Sequence, residues 1–439
     1  MQPYESYKET GIEWIGKIPE HWKIERLGDI SIVNSTSLPV NTAENYKLRY
    51  IDISNVNYNG IISFDNIEEL TFEEAPSRAR RMLKNNDIII STVRPNLQAV
   101  AYINFDDKNL ICSTGFNVVS PRNQSLESKF LYYFLVSEIS KQYFTACATG
   151  VGYPSISDYP FRSIQVPFAP ISEQIAIAKY LDEATENIDK TIKIKENQLK
   201  KLESYKKSKI HETVTKGLEP NPKLKPSGIQ WIGDIPQHWK VERLKFVLTK
   251  IGSGVTPKGG STVYQETGIP LIRSQNVYDD GFYFDEIAFI SEKIHEEMKG
   301  SKVLFGDVLL NITGASIGRS FPYLRTEEAN VNQHVCILRP NEKINTAFLH
   351  FLTISEVIQS QISSGFKGSG REGLNFETIK NFAISLPKKQ EQKAIAEYLD
   401  KLCKNTENVK QNIEKQLIQL KKCRKSLIHE CVTGKRKIA

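Results

Sequence analysis

Two long stretches of the chain combine a helical hydrophobic pattern with the absence of proline and glycine. They run from Gln174 to His211 and from Gln392 to His429. In the second stretch, mainly apolar side chains recur at alternating spacings of three and four residues, with polar interruptions at Thr406 and Gln416, which predicts a helix with one seam. The seam positions are Leu399, Leu402, Thr406, Val409, Ile413, Gln416, Leu420, Cys423 and Leu427. At about 1.5 Å per residue, each stretch predicts a helix on the order of 57 Å long.

Outside these helices the pattern changes to short runs of β-branched residues interleaved with short helical patterns. DIIISTV at 87–93 and DVLLNIT at 307–313 are strand-like, whereas SKFLYYFLVSEISKQYF at 128–144 has helical spacing. Such alternation predicts mixed α/β domains, at about residues 31–169 and 248–386.

The same order of elements occurs twice along the chain. KETGIEWIGKIPEHWKIERLGDI at 8–30 recurs as KPSGIQWIGDIPQHWKVERLKFV at 225–247, and EQIAIAKYLD at 173–182 recurs as EQKAIAEYLD at 391–400. The displacement is 217 positions for the first pair and 218 for the second. A displacement this constant indicates duplication of a whole domain. Two helices pairing antiparallel would hold the domains at opposite ends, a geometry suited to two half-sites about one duplex turn apart, roughly 34 Å.

The charge of the chain is unevenly distributed. The 439 residues carry a net charge of +7, of which residues 189–225 contribute +6 and residues 404–439 contribute +7, so the rest of the chain sums to about −6. A basic excess of this kind indicates a polyanionic partner, although a solvated lysine-rich helix face explains it equally well. The six cysteines form no CxxC pair, no apolar run is long enough to span a membrane, and the N-terminus resembles no signal peptide. We therefore expect a cytoplasmic protein.

Motifs for catalysis are missing from the sequence. GSGVTPKGG at 252–260 is glycine-rich, but it lacks the Gly-Lys-Ser/Thr ending of a phosphate-binding loop. There is no HExxH segment, no GxSxG segment and no metal-ligand cluster. We therefore expect a binding protein with no catalytic residues and no metal. Two alternatives remain open: a scaffold whose domains bind peptides, and a DNA enzyme with an active site that no motif marks.

Polar residues differ between the two copies although the hydrophobic skeleton is shared. In the major groove, Arg and Lys pair best with guanine, and Asn and Gln with adenine. The candidates for DNA contact are Arg78, Arg80, Arg81, Arg94, Asn96 and Tyr153 in the first copy and Lys258, Arg273, Asn311, Arg319, Lys367 and Arg371 in the second. The alternatives are a solvated or phosphate-binding surface for the arginine cluster at 78–81, an ion pair for Arg94, and a scaffold role for Asn311 and Arg319.

The repeated G-I-x-W-I-G-x-I-P-x-H-W segments, DVLLNITGASIGR at 307–319 and the E-Q-x-A-I-A-x-Y-L-D helix starts resemble the specificity subunit of type I restriction–modification systems. The resemblance covers essentially the whole chain. It implies an α+β fold with two mixed α/β target recognition domains separated by two long antiparallel coiled-coil helices, in a pseudo-two-fold repeat. The expected segments are a first target recognition domain with its Trp segment at 1–169, a first long helix at 170–218, a second target recognition domain with linker and Trp segment at 219–386, and a second long helix with a basic tail at 387–439.

The resemblance also implies the partners. The chain is expected to recognise a bipartite double-stranded DNA site and to bind two modification (methyltransferase) subunits and two restriction subunits, which are ATP-dependent translocases and nucleases. S-adenosylmethionine, ATP and Mg are then cofactors of those subunits, and this chain holds none. We interpret four tryptophans as packing anchors. We also expect these tryptophans, together with the glutamine near the start of each long helix, to contribute to the interface with the modification subunits. These residues are Trp14, Trp22, Trp231, Trp239, Gln174 and Gln392.

Overall fold

The computed structural model describes residues 3–57, 60, 62, 67–105, 107–365 and 373–438. The chain forms two compact units, one of Met1–Lys195 with Glu414–Ala439 and the other of Glu196–Ile413. Each unit therefore combines one mixed domain with the first part of one long helix and the last part of the other. The four consecutive segments expected from the sequence are thus not themselves the compact units.

The first unit is built from short strands and helices. Its described strands are β1 (Tyr7–Glu9), β2 (Lys17–Pro19), β3 (Lys23–Arg26), β4 (Ser31–Val33), β5 (Lys47–Ile51), β6 (Glu68–Thr71), β7 (Ala79–Met82), β8 (Ile88–Ser91), β9 (Val100–Tyr102), β10 (Leu110–Ser113), β11 (Phe116–Pro121) and β12 (Gln165–Phe168). Its described α-helices are α1 (Leu27–Ile30), α2 (Ser128–Leu135), α3 (Glu138–Cys147), α4 (Asp158–Ser163) and the long α5 (Ile171–Lys216), which continues beyond the unit.

Two four-stranded sheets form the centre of the first unit, in the orders β6-β5-β10-β7 and β4-β11-β8-β9. β5 and β10 are parallel, and the other neighbours are antiparallel. β8 is apolar at successive positions because both of its faces are buried. Ile89 lies in the core between the two sheets, whereas Ile88 and Ile90 face the core shared with α2 and α3.

The second unit repeats this series with different lengths. Its described strands are β13 (Leu224–Pro226), β14 (Asp234–Pro236), β15 (Lys240–Arg243), β16 (Leu248–Ser253), β17 (Ile269–Ile272), β18 (Val277–Tyr278), β19 (Gly281–Phe282), β20 (Ala288–Ile290), β21 (Lys302–Val303), β22 (Val308–Asn311), β23 (Ser320–Pro322), β24 (Ala329–Val331), β25 (Val335–Pro340) and β26 (Ala383–Leu386). Its described α-helices are α6 (Glu292–Glu297), α7 (Thr346–Ile354), α8 (Glu356–Gly365), α9 (Phe376–Lys380) and the long α10 (Lys389–Val432).

The sheets of the second unit have the same topology as those of the first. Their orders are β20-β17-β24-β21 and β16-β25-β22-β23, and β17 pairs parallel with β24 as β5 does with β10. In both units the strand that ends at Ile51 or Ile272 leads into a short 3-10 helix, Ile53–Asn55 or Ser274–Asn276. The predictions of a domain duplication, of mixed α/β domains and of long helices are confirmed.

Within each unit the two long helices run antiparallel. In the first unit, Asp189 of α5 pairs with Arg424 of α10 at 3.0 Å, and Glu173 bonds the Trp22 indole that lies against Gly434. In the second unit, Gly217 after α5 lies against Glu391 at the beginning of α10. The beginning of each helix therefore lies beside the end of the other.

The buried seam of α10 departs from the predicted heptad pattern. Val409 is 46% exposed, whereas Ile413 and Leu417 are 9% and 8% exposed. Gln416 and Cys423, both predicted on the seam, are exposed. The seam prediction is wrong at these three exposed positions and is confirmed at four buried ones, which are Leu399, Thr406, Ile413 and Leu427.

Candidate nucleic-acid interface

Three loops of the first unit meet at one edge of the β4-β11-β8-β9 sheet. The N–H of Thr92, just after β8, donates to the carbonyl of Gly115 in the β10–β11 turn at 2.9 Å. The carbonyl of Thr92 accepts from the N–H of Ile156, in the loop before α4, at 3.0 Å. We call this edge the first rim, and it consists of residues 92–98, 113–116 and 149–156.

Arg94, Asn96 and Tyr153 lie together on the first rim. The guanidinium carbon of Arg94 is 4.5 Å from the centre of the Tyr153 ring, and the Arg94 N–H donates to the carbonyl of Pro154 at 2.7 Å. Arg94 has a φ of 50°, a left-handed conformation that costs a non-glycine residue on the order of 1 kcal/mol. All three candidate side chains are exposed. The local backbone therefore holds a cation, an amide and an aromatic ring at the surface.

Arg78 and Arg81 flank the β10–β11 turn of the same rim. The N–H of Thr114 donates to the carbonyl of Arg78 at 2.8 Å, and Arg81 Nη2 approaches the carbonyl of Thr114 at 3.5 Å. Arg78 pairs with Asp52 at 2.7 Å. Burial lowers the pKa of the Arg81 guanidinium, which nevertheless stays charged, because arginine is not deprotonated in proteins.

Arg80, between those two residues, is directed elsewhere. Cys112 pairs with Arg81 while the next residue, Ser113, pairs with Ala79, so Arg80 occupies a β-bulge. Its guanidinium lies 4.5 Å from the centre of the Phe72 ring and bonds the carbonyl of Ser77. The structure thus brings two members of the predicted arginine cluster to the rim and packs the third against an aromatic side chain.

The second unit forms the corresponding edge with the same backbone bonds. The N–H of Ile312 donates to the carbonyl of His334 at 3.0 Å, and the N–H of Leu374 donates to the carbonyl of Ile312 at 2.9 Å. Lys258 is exposed in the loop that follows β16. We call this edge the second rim, and its described residues are 253–258, 312–316, 332–334 and 373. The candidates Lys367 and Arg371 lie outside the described residues.

The other candidates of the second unit have partners within the protein. Asn311 is fully buried, and its Nδ2 donates to the carbonyl of Ser274 at 2.8 Å. This burial corrects the expectation of base contact, since a base cannot reach the amide, and we omit Asn311 from the proposed surface. Arg273 bonds the carbonyl of Glu286. Arg319 lies beside the second rim, with its guanidinium 4.5 Å from the Tyr278 ring.

A glutamate at the start of α5 anchors the first Trp segment. Trp22 is fully buried, and its indole N–H donates to Glu173 Oε2 at 3.1 Å. The Tyr4 hydroxyl donates to the same oxygen at 2.6 Å, and His21 Nε2 lies 2.6 Å from Oε1. Burial raises the pKa of the Glu173 carboxyl, but the hydrogen bonds from Tyr4, His21 and Trp22 outweigh it and leave the pKa below its usual value.

The second unit repeats this set of hydrogen bonds between a Trp segment and a glutamate at the start of a long helix. The indole N–H of the fully buried Trp239 donates to Glu391 Oε1 at 2.9 Å, and His238 lies 3.1 Å from Oε2. We had not singled out Glu173 or Glu391 from the sequence. Both stand immediately before the predicted glutamines, with the displacement of the duplication, and that coincidence was the available signal.

The residues expected at a partner interface separate into buried and accessible groups. Gln174 and Gln392 are both fully buried. Gln174 Nε2 donates to the carbonyl of Ala169 at 2.7 Å, and Gln392 Nε2 donates to that of Pro387 at 2.9 Å. These glutamines therefore fasten each long helix to its own domain, which corrects their expected role at a surface, and Trp22 and Trp239 are equally enclosed. Trp14, 42% exposed, and the partly exposed Trp231 remain accessible.

Two features are absent from the part of the chain that the structure describes. None of its helices is long and apolar enough to cross a membrane. No group of three or more His, Cys, Asp or Glu side chains there is placed to hold a metal ion.

Comparison with known proteins gives a consistent family. The sequence profile described as "Type I restriction modification DNA specificity domain" matches residues 19–204 and again 236–419. The chain is 26% identical over 426 residues to the type I restriction enzyme MjaVIII specificity subunit of Methanocaldococcus jannaschii, covering 95% of this chain and 94% of the relative. It is 24% identical over 324 residues to the EcoBI specificity subunit of Escherichia coli, covering 72% of this chain and 67% of the relative.

Solved structures share the fold. A chain solved in a study of complex assembly and conformational transition of the type I R-M system superposes with a TM-score of 0.77 at 21% identity, covering 94% of this chain and 98% of that one. The HsdS subunit of Thermoanaerobacter tengcongensis superposes with a TM-score of 0.58, also at 21% identity, covering 95% and 98%. The profile, the relatives and these structures confirm the resemblance to type I specificity subunits. The protein belongs to the family of type I restriction–modification DNA specificity domains and carries that domain twice.

Proposed function

We propose that the chain recognises a bipartite double-stranded DNA site, with each rim contacting one half, and assembles the modification and restriction subunits around that site. The observation that carries the proposal is the pair of rims with one topology and different polar side chains, in a chain with two DNA specificity domains. A common frame with different polar residues suits the recognition of two unlike half-sites. The chain is a recognition subunit and not an enzyme, as its family indicates.

The chemistry of the first rim supports this function. Arg94 offers paired N–H donors that match guanine, and Asn96 offers an amide that matches adenine. Arg78 and Arg81 add positive charge beside them, which suits contact with phosphates. In the second unit we retain Lys258 on the second rim and Arg319 beside it as proposed DNA contacts. From the sequence alone we also retain Lys367 and Arg371. Arg273 remains a weaker candidate, because its Nη2 bonds the carbonyl of Glu286 at 2.5 Å, whereas Arg94 Nη2 is 3.5 Å from the carbonyl of Gly152.

The partners follow from the family. We propose two modification subunits, which use S-adenosylmethionine, and two restriction subunits, which use ATP and Mg, in the cytoplasm, where the DNA target lies. Trp14 and Trp231 are the accessible tryptophans of the two Trp segments, and we propose that they contribute to the interface with the modification subunits.

The test is genome-wide mapping of methylated bases in cells that express the chain with its modification subunit. A split motif, with two short defined halves around a fixed gap, is the expected result. Arg94→Ala should relax one base position in one half, with a loss of discrimination of about 5- to 150-fold. Arg80→Ala is the matched control, because that side chain packs on Phe72, and it should leave the motif unchanged. A continuous motif would contradict recognition by two separate domains.

The alternatives predict other results. A peptide-binding scaffold would give no methylation with a bound and active partner, and would show no steep fall in DNA affinity with added salt. An enzyme with an unmarked active site would methylate or cleave DNA as an isolated chain.

A further inference from the structure

A chain of side-chain hydrogen bonds crosses the second rim at the β24–β25 turn. The Thr256 hydroxyl donates to Gln333 Oε1. Gln333 Nε2 lies 3.1 Å from His334 Nε2, and His334 Nδ1 lies 2.6 Å from Thr313 Oγ1. These contacts connect three segments of the second rim, residues 253–258, 312–316 and 332–334. They converge on Gln333, which is exposed.

The direction of these bonds follows from the donors available. An amide nitrogen donates and does not accept, so His334 Nε2 must be the acceptor of the Gln333 bond. The proton of the neutral imidazole is then on Nδ1, which donates to the Thr313 hydroxyl oxygen. Three bonds thus run in one direction from Thr256 to Thr313, and the Gln333 amide is held from both sides.

These contacts use half of the hydrogen-bonding capacity of the Gln333 amide. Among the described residues, its oxygen accepts one hydrogen bond and its nitrogen donates one, so that one lone pair and one N–H remain for a ligand. Adenine in the major groove presents an N6 donor and an N7 acceptor, which are the complement of that pair. Guanine presents two acceptors there, so its O6 would oppose the amide oxygen.

We propose, on the basis of the function proposed above, that Gln333 recognises an adenine in the half-site of the second unit, and that Thr256 and His334 are its positioning residues. Holding the amide before DNA arrives lowers the ordering cost of binding and fixes which edge of the amide faces the base.

The first unit lacks this device at the equivalent place. Its Thr92 N–H bonds the carbonyl of Gly115 as the Ile312 N–H bonds that of His334, so the β10–β11 turn presents Thr114 and Gly115 where the second unit has Gln333 and His334. The amide is therefore not required by the shared fold. Its effect should be confined to one half of the target.

The experiment uses the full chain assembled with its modification subunits. Once the wild-type motif is mapped, the methylation rate is measured on duplexes in which each A·T pair of each half is replaced by G·C. Wild type should discriminate about 5- to 150-fold at the adenine read by Gln333. Gln333→Ala should reduce this ratio to near 1 at that position alone, and Gln333→Glu should shift the preference towards cytosine, whose N4 donates.

A base analogue provides an independent readout. Replacing that adenine with 7-deazaadenine removes N7, so wild type should slow while Gln333→Ala should not respond. Thr256→Val should weaken the discrimination at the same position, and Thr256→Ser, which restores the hydroxyl, should recover it. Gln411→Ala is the matched control, since this exposed glutamine of α10 bonds only Glu407 in the described contacts, at 3.2 Å.

The outcomes separate this inference from the proposed function. Absence of a split motif with the wild-type chain would remove the proposed function itself. A split motif with no A·T pair in either half would overturn the role of Gln333. Unchanged discrimination at every position in both Gln333 variants would also overturn it. So would a change of discrimination in the half of the motif that Arg94→Ala affects.

Discussion

Removing the Glu173 carboxylate should destabilise the first unit more than removing Glu391 destabilises the second. Glu173→Ala leaves the indole N–H of Trp22, a fully buried residue, and the hydroxyl of Tyr4, a residue 9% exposed, without their acceptor. A buried donor without a partner costs about 1–3 kcal/mol. With two such donors, Glu173→Ala should lower the free energy of unfolding by about 2–6 kcal/mol. Half-exposed His21 adds little, because water replaces its partner.

The second unit supplies the matched comparison. Among the described residues, Glu391 accepts from one buried donor, the indole of Trp239, besides the half-exposed His238. Glu391→Ala should therefore cost about 1–3 kcal/mol. Tyr4→Phe removes one donor and leaves Glu173 with its other partners, so it should cost less than Glu173→Ala.

The assay must follow the units separately, because a chain of two units need not unfold in one step. Hydrogen exchange of peptides that cover β3 and β15, next to Trp22 and Trp239, reports the local opening free energy of each unit. Equal losses in the two units, or a loss below about 2 kcal/mol for Glu173→Ala, would refute the assignment of two buried donors to this carboxylate.

Three further predictions concern stability and target choice. Gly434→Ala should destabilise the protein more than Gly217→Ala. Both glycines have a positive φ, of 69° and 76°, but a Cβ at 434 would lie 2.3 Å from Pro19 Cδ, whereas the closest atom to a Cβ at 217 is 3.1 Å away. Thermal unfolding of the two variants checks this order. Folding lowers the pKa of the Glu173 carboxyl, so the stability that this carboxylate contributes is complete above its usual pKa of 4.5 and is lost as the pH falls through the lower folded pKa. The difference in stability between wild type and Glu173→Gln should therefore shrink in acid. Exchange of residues 31–169 for the domain of a relative should change one half of the methylated motif, and a change in both halves would contradict independent recognition.

Particular residues show which features of the structure can be predicted from the sequence. The run DIIISTV at 87–93 predicts a strand, and the structure confirms it as β8, in which Ile88, Ile89 and Ile90 are all buried. The repeated tryptophans predict packing anchors, and Trp22 and Trp239 are fully buried. The sequence predicts Arg94 and Asn96 in one segment and Tyr153 in another as candidate contacts, and the structure brings the two segments to one edge.

The sequence determined by itself the duplication, the long helices and the family, because these depend on periodicity and on segments compared at a fixed displacement. Only the tertiary structure decided which polar groups are free. Arg78 meets Asp52, Arg80 covers Phe72, and Asn311 is enclosed, all through partners distant in the chain. The same limit applies to Gln333, whose orientation depends on Thr256 in another loop. A local pattern fixes which face of an element is buried, whereas the partner of a charged or amide side chain is fixed by the packing of segments that the sequence separates.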